Sequence, residues 1–424
     1  MTSRVRPDDR AFLLLWGAQA VSSLGASAAS FALTLQVFGE TGSALALSAL
    51  TVVSTVASIY LAPFTGWAAD RLGHRRAALA SNAFLALALV SGGMAVVSAV
   101  GPGRLLAVVY PLTLVSALAA STLALTLTAS VRRMRREVDL TRINGVTSLL
   151  QDGPTLLAPV LGAALSAVVA PAAVFVVDGV TSLGCVAALL VVRWDAPPDR
   201  RIANPFRGAR DGIAWIIRHP GLRRLQLGFG ALNLANGIAA SATTAYVLLL
   251  GAGGIGSGAS LAAFSIAGSA GLLAGAAFVA ARGDRTPRLV AIAGSAVVLG
   301  LVGRVALGAS ALLAVWILAA VIRNVALQVQ GAPLTAVWQE RIPPARQGAV
   351  LGAKRLLGQG FYPPAVLLGG ALTVALHPLG QETALRVVII AGGLGEALVG
   401  VAMLRSRGIR ALLAPAATAD RTAA

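Results

Sequence analysis

Long apolar runs separated by short arginine-bearing loops constrain this chain more than any other feature. Run after run is long enough, at 1.5 Å per helical residue, to cross about 30 Å of hydrocarbon. With 57% of its 424 residues hydrophobic and only 12% charged, the chain does not read as a soluble domain. The spacing predicts an all-α integral membrane protein. Its twelve transmembrane helices cover residues 11–38, 43–69, 77–100, 105–131, 143–169, 171–192, 225–250, 257–281, 289–307, 311–337, 348–376 and 384–404. The run after the basic segment 1–10 is too long for a signal-peptide core and reads as a signal anchor.

Charge placement sets the topology. The net charge of +18 comes from 34 basic residues, of which only Lys354 is lysine. They cluster in alternate loops, which is the positive-inside pattern rather than a nucleic-acid groove. Both termini are therefore expected in the cytoplasm of a multi-pass cell-membrane protein, and Arg104 is the one base assigned to an outer loop. The arginine- and proline-rich segment 193–224 is expected to be a cytoplasmic linker between an N-terminal half, 1–192, and a C-terminal half, 225–404, with a tail at 405–424. Asn204-Pro205 opens a short amphipathic helix in that linker, with Phe206, Ile213 and Ile217 on one face.

The two halves are pseudo-symmetric. One offset carries Asp70-Arg71 onto Asp284-Arg285, Gln19 onto Asn233, Ser27 onto Ser241 and Ser30 onto Thr244. Gln19, Ser23, Ser27 and Ser30 recur at helical spacing, as do Asn233, Asn236, Ser241 and Thr244, so each set forms a polar stripe. In a bilayer such a face turns toward protein or a watery cavity, which makes these residues candidates for the substrate cavity. Hydrogen bonding between helices is the competing role for each of them.

The loop Gly66-Trp67-Ala68-Ala69-Asp70-Arg71-Leu72-Gly73-His74-Arg75-Arg76 holds one carboxylate among arginines. Asp70 follows an apolar run, so it sits at a helix C-terminus where the macrodipole disfavours an anion. Compensation is expected from Arg71, Arg75, Arg76 or another helix N-terminus. The full spacing resembles the loop signature of the major facilitator superfamily, with Arg282-Gly283-Asp284-Arg285 as a degenerate second copy. The resemblance spans nearly the whole chain and implies alternating access through a cavity between the halves. It also gives Gly66, Asp70, Arg71, Gly73, Arg75, Arg76, Asp284 and Arg285 a gating role.

Within that family, Asn144, Asp178-Gly179-Val180-Thr181-Ser182 and Arg218-His219-Pro220 look most like the macrolide- and siderophore-exporter branch. Ala158-Pro159-Val160-Leu161-Gly162-Ala163 is similar to a drug-antiporter motif, with alanine replacing two glycines. The resemblance implies export of a bulky, largely apolar molecule (a drug, antibiotic or siderophore) by proton antiport. Uptake symport or facilitation by the same fold is the alternative, and a non-transporting scaffold a more distant one. The fourth run lacks the intramembrane arginine of many antiporters, and Arg323 in the tenth does not replace it by position.

Asp152, Asp178, Glu396 and Arg323 are the proton-coupling candidates. Asp152 leads, because it lies about 13 Å along its helix from the inner surface, on a polar face with Asn144, Ser148, Thr155 and Pro159. A permanent pairing of Asp152 with Arg323 is its bland alternative. Asp178, nearer the outer end, is expected to be capped or paired, and Glu396, among Gly392, Gly393 and Gly400, to pack against a neighbour. Cofactor and metal sites are not expected: Cys185 is alone, and His74, His219 and His377 lack ligand spacing. Gly251-Ala252-Gly253-Gly254-Ile255-Gly256 satisfies G-x-G-x-x-G but joins two membrane runs, so it reads as a loop. No hydrolase or ATPase motif is present. The expected partners are a small-molecule substrate, protons and the lipid bilayer, with no nucleic acid, and the chain is expected to be a monomer.

Overall fold

The computed structural model describes residues 7–61, 72–98, 101–134, 161–162, 164, 171–192, 205–282, 286–343 and 347–414. Every regular element among them is helical. Two compact units divide the chain, Met1–Pro205 and Phe206–Ala424. Nine of the described helices are long and apolar enough to cross a membrane.

In the first unit, α1 (Pro7–Thr41), α3 (His74–Ser98), α4 (Pro102–Met134) and α5 (Pro171–Val191) follow the predicted runs within a few residues, and α2 (Ala44–Ile59) covers the first part of the run 43–69, whose end lies outside the described residues. The turn between α1 and α2 has a local cause. Gly42 takes a φ of 59°, which an L side chain resists, and the Ser43 hydroxyl accepts from the Ala46 N–H at 3.3 Å to cap α2. Helix α5 packs on α1 and α3, and α4 packs on α2 and α3. Leu15, Trp16, Ala78, Leu123, Cys185 and Leu189 form a core at one end of this unit. Trp16 is thus a packing group rather than an interfacial anchor. Of the fifth predicted run little is described, but a Cβ on Gly162 would come within 2.7 Å of the Ala28 carbonyl, so that segment lies close against α1.

The second unit begins with α6 (Pro205–Arg218), followed by α7 (Pro220–Gly251), α8 (Ser257–Arg282), α9 (Val290–Ala309), α10 (Leu313–Arg341), α11 (Gln347–Gln359), α12 (Tyr362–Ala375), α13 (Gln381–Arg405) and α14 (Arg407–Leu413). Helix α7 packs on α8, α11, α12, α13 and α14, while α10 packs on α8 and α9. Glycines permit the closest contacts. A Cβ on Gly275 would lie 2.9 Å from the Val325 Cα, and one on Gly392 would lie 2.7 Å from the Ala235 carbonyl.

Three features depart from the sequence reading. Helix α9 contains two π-helical turns, Val290–Gly294 and Leu301–Val305. The single predicted run 348–376 is broken between α11 and α12, because Gly360 is followed by Phe361-Tyr362-Pro363-Pro364. Those prolines lack the N–H groups a continuous helix would need there, and they suit the first turn of a new one. The linker helix and tail also fold into the unit. Trp215 and Ile216 of α6 and Ile409 and Leu413 of α14 join Leu225, Ile292, Trp338 and Met403 in one core. Ile217, expected on the membrane-facing side of that helix, is 51% exposed, while Trp215 and Ile216 turn into the core.

The exterior is as apolar as the interior. Phe84, Leu87 and Met94 on α3, and Leu394 and Leu398 on α13, are exposed. In water such a surface would drive aggregation, whereas hydrocarbon solvates it at no cost.

Candidate coupling site and substrate cavity

Among the described residues, buried charge concentrates in the second unit. Arg323, about 15 Å along α10 from Leu313, meets Glu396 of α13 with Nη1 3.1 Å from Oε2 and Nη2 3.3 Å from Oε1. Both are buried, at 9% and 2% exposure. Arg323 Nη2 also donates to Asn236 Oδ1 on α7 at 2.6 Å. The same oxygen accepts from Arg304 Nη2 at 2.9 Å, and Arg304 Nη1 donates to the Thr243 hydroxyl. Two guanidinium groups therefore share one amide oxygen, only Arg323 reaches the carboxylate, and among the described residues the Arg304 Nε has no partner.

Local backbone features make room for this cluster. Arg304 sits in the second π-helical turn of α9, an arrangement frequent at functional positions. Gly303 beside it leaves space for the Arg323 side chain, which a Cβ would approach to 2.8 Å. Desolvating the ions is costly, and good geometry together with the Asn236 and Thr243 bonds offsets only part of that cost. Arg304 escaped the sequence reading, although a lone arginine inside Val297-Val298-Leu299-Gly300-Leu301-Val302-Gly303-Arg304-Val305 was itself the signal.

A cavity of about 360 Å³ adjoins the cluster. Arg323, Glu396 and Asn236 form part of its wall, with Asn233 of α7 and Lys354 and Arg355 of α11. The Lys354 ammonium lies 5.6 Å from the Trp338 ring centroid. Of the α7 stripe, Asn233 and Asn236 line the cavity. Ser241 instead donates to the Ile238 carbonyl at 2.7 Å and is buried against Gly369 of α12, while Thr244 is half-buried outside the wall.

The α1 stripe behaves differently. Gln19 Nε2 donates to the Ser23 hydroxyl at 3.1 Å, and its Oε1 lies 3.5 Å from the Cys185 sulfur on α5. That end of the stripe is a contact between helices. Ser27 is half-buried and Ser30 exposed.

Asp178 on α5 is 4% exposed, and among the described residues its Oδ1 has no partner, nor does the Ser182 hydroxyl one turn on. Arg323 pairs with Glu396, which is an ion-pair member as well as a neighbour of packed glycines. Asp152 and Asn144 lie outside the described residues.

Of the signature loop, Gly66, Asp70 and Arg71 lie outside the described residues, as do Asp284 and Arg285 of the second copy. Gly73 takes a φ of 84° just before α3. Arg75 reaches the end of α5. Its Nε donates to the carbonyls of Leu189 at 3.1 Å and Val192 at 3.2 Å, and its Nη2 to Leu190 at 3.1 Å. A cation on the last carbonyls of α5 opposes the negative end of that helix. Arg76 is exposed. In the second unit Arg288 grips both Glu340 oxygens at 2.7 Å, holding that carboxyl below its ordinary range and tying the start of α9 to the end of α10.

Membrane-length helices with lipid-compatible exteriors and a charged, cavity-lining interior define a polytopic membrane protein of the solute-carrying kind. The chain belongs to the Major Facilitator Superfamily, which matches residues 15–361. Members of that family are transporters rather than enzymes. Solved structures of similar shape include the nucleoside transporter NupG, with TM-score 0.68 and 13% identity, covering 94% of this chain and 100% of that one. A bacterial homologue of the iron transporter ferroportin in the inward-facing state has TM-score 0.71 and 16% identity, with coverage of 94% and 99%. An auto-inhibited peptide transporter of the POT family has TM-score 0.67 and 13% identity, with coverage of 93% and 96%. At those identities the likeness is one of fold. A search of curated proteins finds no match.

Proposed function

We propose that the protein is a secondary active transporter of the cell membrane, with cytoplasmic termini, exporting a bulky, largely apolar small molecule by proton antiport and alternating access. The observation that carries this reading is the buried Glu396–Arg323 pair, joined to Arg304 through Asn236 and placed in the wall of a cavity. A scaffold gains little from three costly ions inside its helices, whereas a coupled transporter needs a buried group that exchanges a proton as access changes. Glu396 has the geometry for that exchange, and Asp178 and Asp152 are the other carboxyls that could share it. Asp70, Arg71, Asp284 and Arg285, together with Gly66, Gly73, Arg75 and Arg76, would set the balance between access states.

Uptake symport is the second reading, and one observation favours it. Protonating Glu396 would release Arg323 to receive a negative substrate, so proton and substrate would bind together. Flux into inverted vesicles under an imposed pH gradient separates the two readings. Antiport is expected to drive accumulation when the vesicle interior is acid, and Glu396→Gln at matched protein level is expected to abolish the part sensitive to uncouplers. Accumulation driven only by the opposite gradient would establish symport, and gradient-dependent flux at the wild-type rate in Glu396→Gln would remove Glu396 from coupling.

A further inference from the structure

The cavity wall holds more positive charge than the protein neutralises. Arg323, Lys354 and Arg355 face it, against Glu396 alone. Glu396 is committed to Arg323, and Arg355 Nε donates to a neutral amide, Gln359 Oε1, at 3.2 Å. Behind the wall, Arg304 adds a second buried cation through the shared Asn236. Among the described residues no carboxylate forms a salt bridge with Lys354, Arg355 or Arg304. Cations in a partly desolvated concavity focus a positive potential that an anionic group answers better than water does.

An inner-loop topology signal does not account for this placement. Lys354 lies within α11, half-buried and over the Trp338 ring, not in a loop. It is also the one basic position in the chain that is not arginine. Lysine supplies a compact ammonium with rotatable donors on a flexible stem, suited to following a head group, where arginine imposes a planar fork. Phe229, Leu299, Leu327, Leu334 and Leu351 also line the wall, among neutral amides and a threonine, so a hydrophobic body can lie beside the charge.

We propose that this cavity binds the acidic group of an amphiphilic anion, a carboxylate, sulfonate or phosphate on an apolar body, with Lys354 and Arg355 receiving the charge. The proposal rests on the transporter reading above and names its substrate class.

The test uses the full chain in phosphatidylcholine nanodiscs, titrated calorimetrically with 1-naphthalenesulfonate, 1-naphthyltrimethylammonium and neutral 1-naphthalenemethanol. The sulfonate is expected to bind about tenfold more tightly than the ammonium. Lys354→Gln and Arg355→Gln are each expected to weaken it by roughly three- to tenfold while leaving the neutral probe unchanged. Glu396→Gln, which frees Arg323, is expected to tighten it. Unchanged neutral-probe binding shows that the variants are folded. Equal affinity for sulfonate and ammonium, or sulfonate binding unaffected by both Lys354→Gln and Arg355→Gln, would overturn the proposal.

Repeating the titration in phosphatidylglycerol nanodiscs identifies the source of the anion. Displacement of the sulfonate assigns the site to a lipid head group, undiminished binding assigns it to a free solute, and both outcomes keep an anion site. Coupled flux of a neutral or cationic solute without sulfonate preference would sink this site and leave the transporter reading standing. Selective sulfonate binding with no flux of any solute would do the reverse.

Discussion

Arg75 shows how a residue can be recognised correctly and its task decided elsewhere. Its place in the loop signature marks it as important, but its donors go to Leu189, Leu190 and Val192 at the end of α5. Hydrogen bonds from a charged donor contribute about 1.5–3 kcal/mol each, less where the group is half exposed. Arg75→Gln is therefore expected to cost about 2 kcal/mol, read as a lower thermal midpoint in detergent, with Arg75→Lys recovering part of it. An unchanged midpoint would mean that these carbonyls are equally well served by water. Glu340 offers a test by pH. Arg288 lowers its carboxyl pKa in the fold, so the pair stabilises above the ordinary glutamate value of about 4.3. That contribution fades as pH falls through the lowered folded value. Because both side chains are partly exposed, the effect is small. Wild type and Glu340→Gln should differ in midpoint at neutral pH and converge in acid. A gap that widens in acid would contradict the sign.

At the scale of elements, glycine decides how closely helices meet. A Cβ on Gly271 of α8 would strike the backbone of Val321 on α10, whereas one on Gly331 of α10 meets nothing within 4 Å. Gly271→Val is expected to loosen the packing of α8 on α10 and lower protease resistance, since overpacking costs about 1–3 kcal/mol. Gly331→Ala is expected to be neutral or stabilising by up to about 1 kcal/mol, as for glycine in a helix interior. Protease resistance of the membrane-inserted variants checks both, and equal tolerance would show that α8 and α10 can separate. Hydropathy located these helices because each must present an apolar face of fixed length. It could not see the π turns of α9, which answer to the close contact of Gly300 with Gly393 and of Gly303 with Arg323. The break at Gly360 is legible in Pro363 and Pro364, although the apolar run continues across it.

For the whole molecule, the placement of positive charge is expected to orient the chain. A cysteine introduced at Ala203 in a Cys185→Ser background is expected to resist membrane-impermeant reagents in sealed cells and to react once the cells are opened; labelling from outside would invert the topology. The helical membrane class, the family and most helix positions were determined by the sequence alone, because hydrocarbon leaves few solutions for a chain of long apolar runs. Tertiary structure decided which polar residues meet. Arg304, Arg323 and Glu396 are far apart in the chain and come within reach of Asn236 only when α7, α9, α10 and α13 pack. It also decided that α6 and α14 belong to the core, since Trp215 and Ile409 find apolar partners there that a linker and a tail on their own would lack. Hydropathy is local and survives in one dimension, whereas the pairing of buried charges depends on which helix faces turn toward one another, and that is settled only by packing.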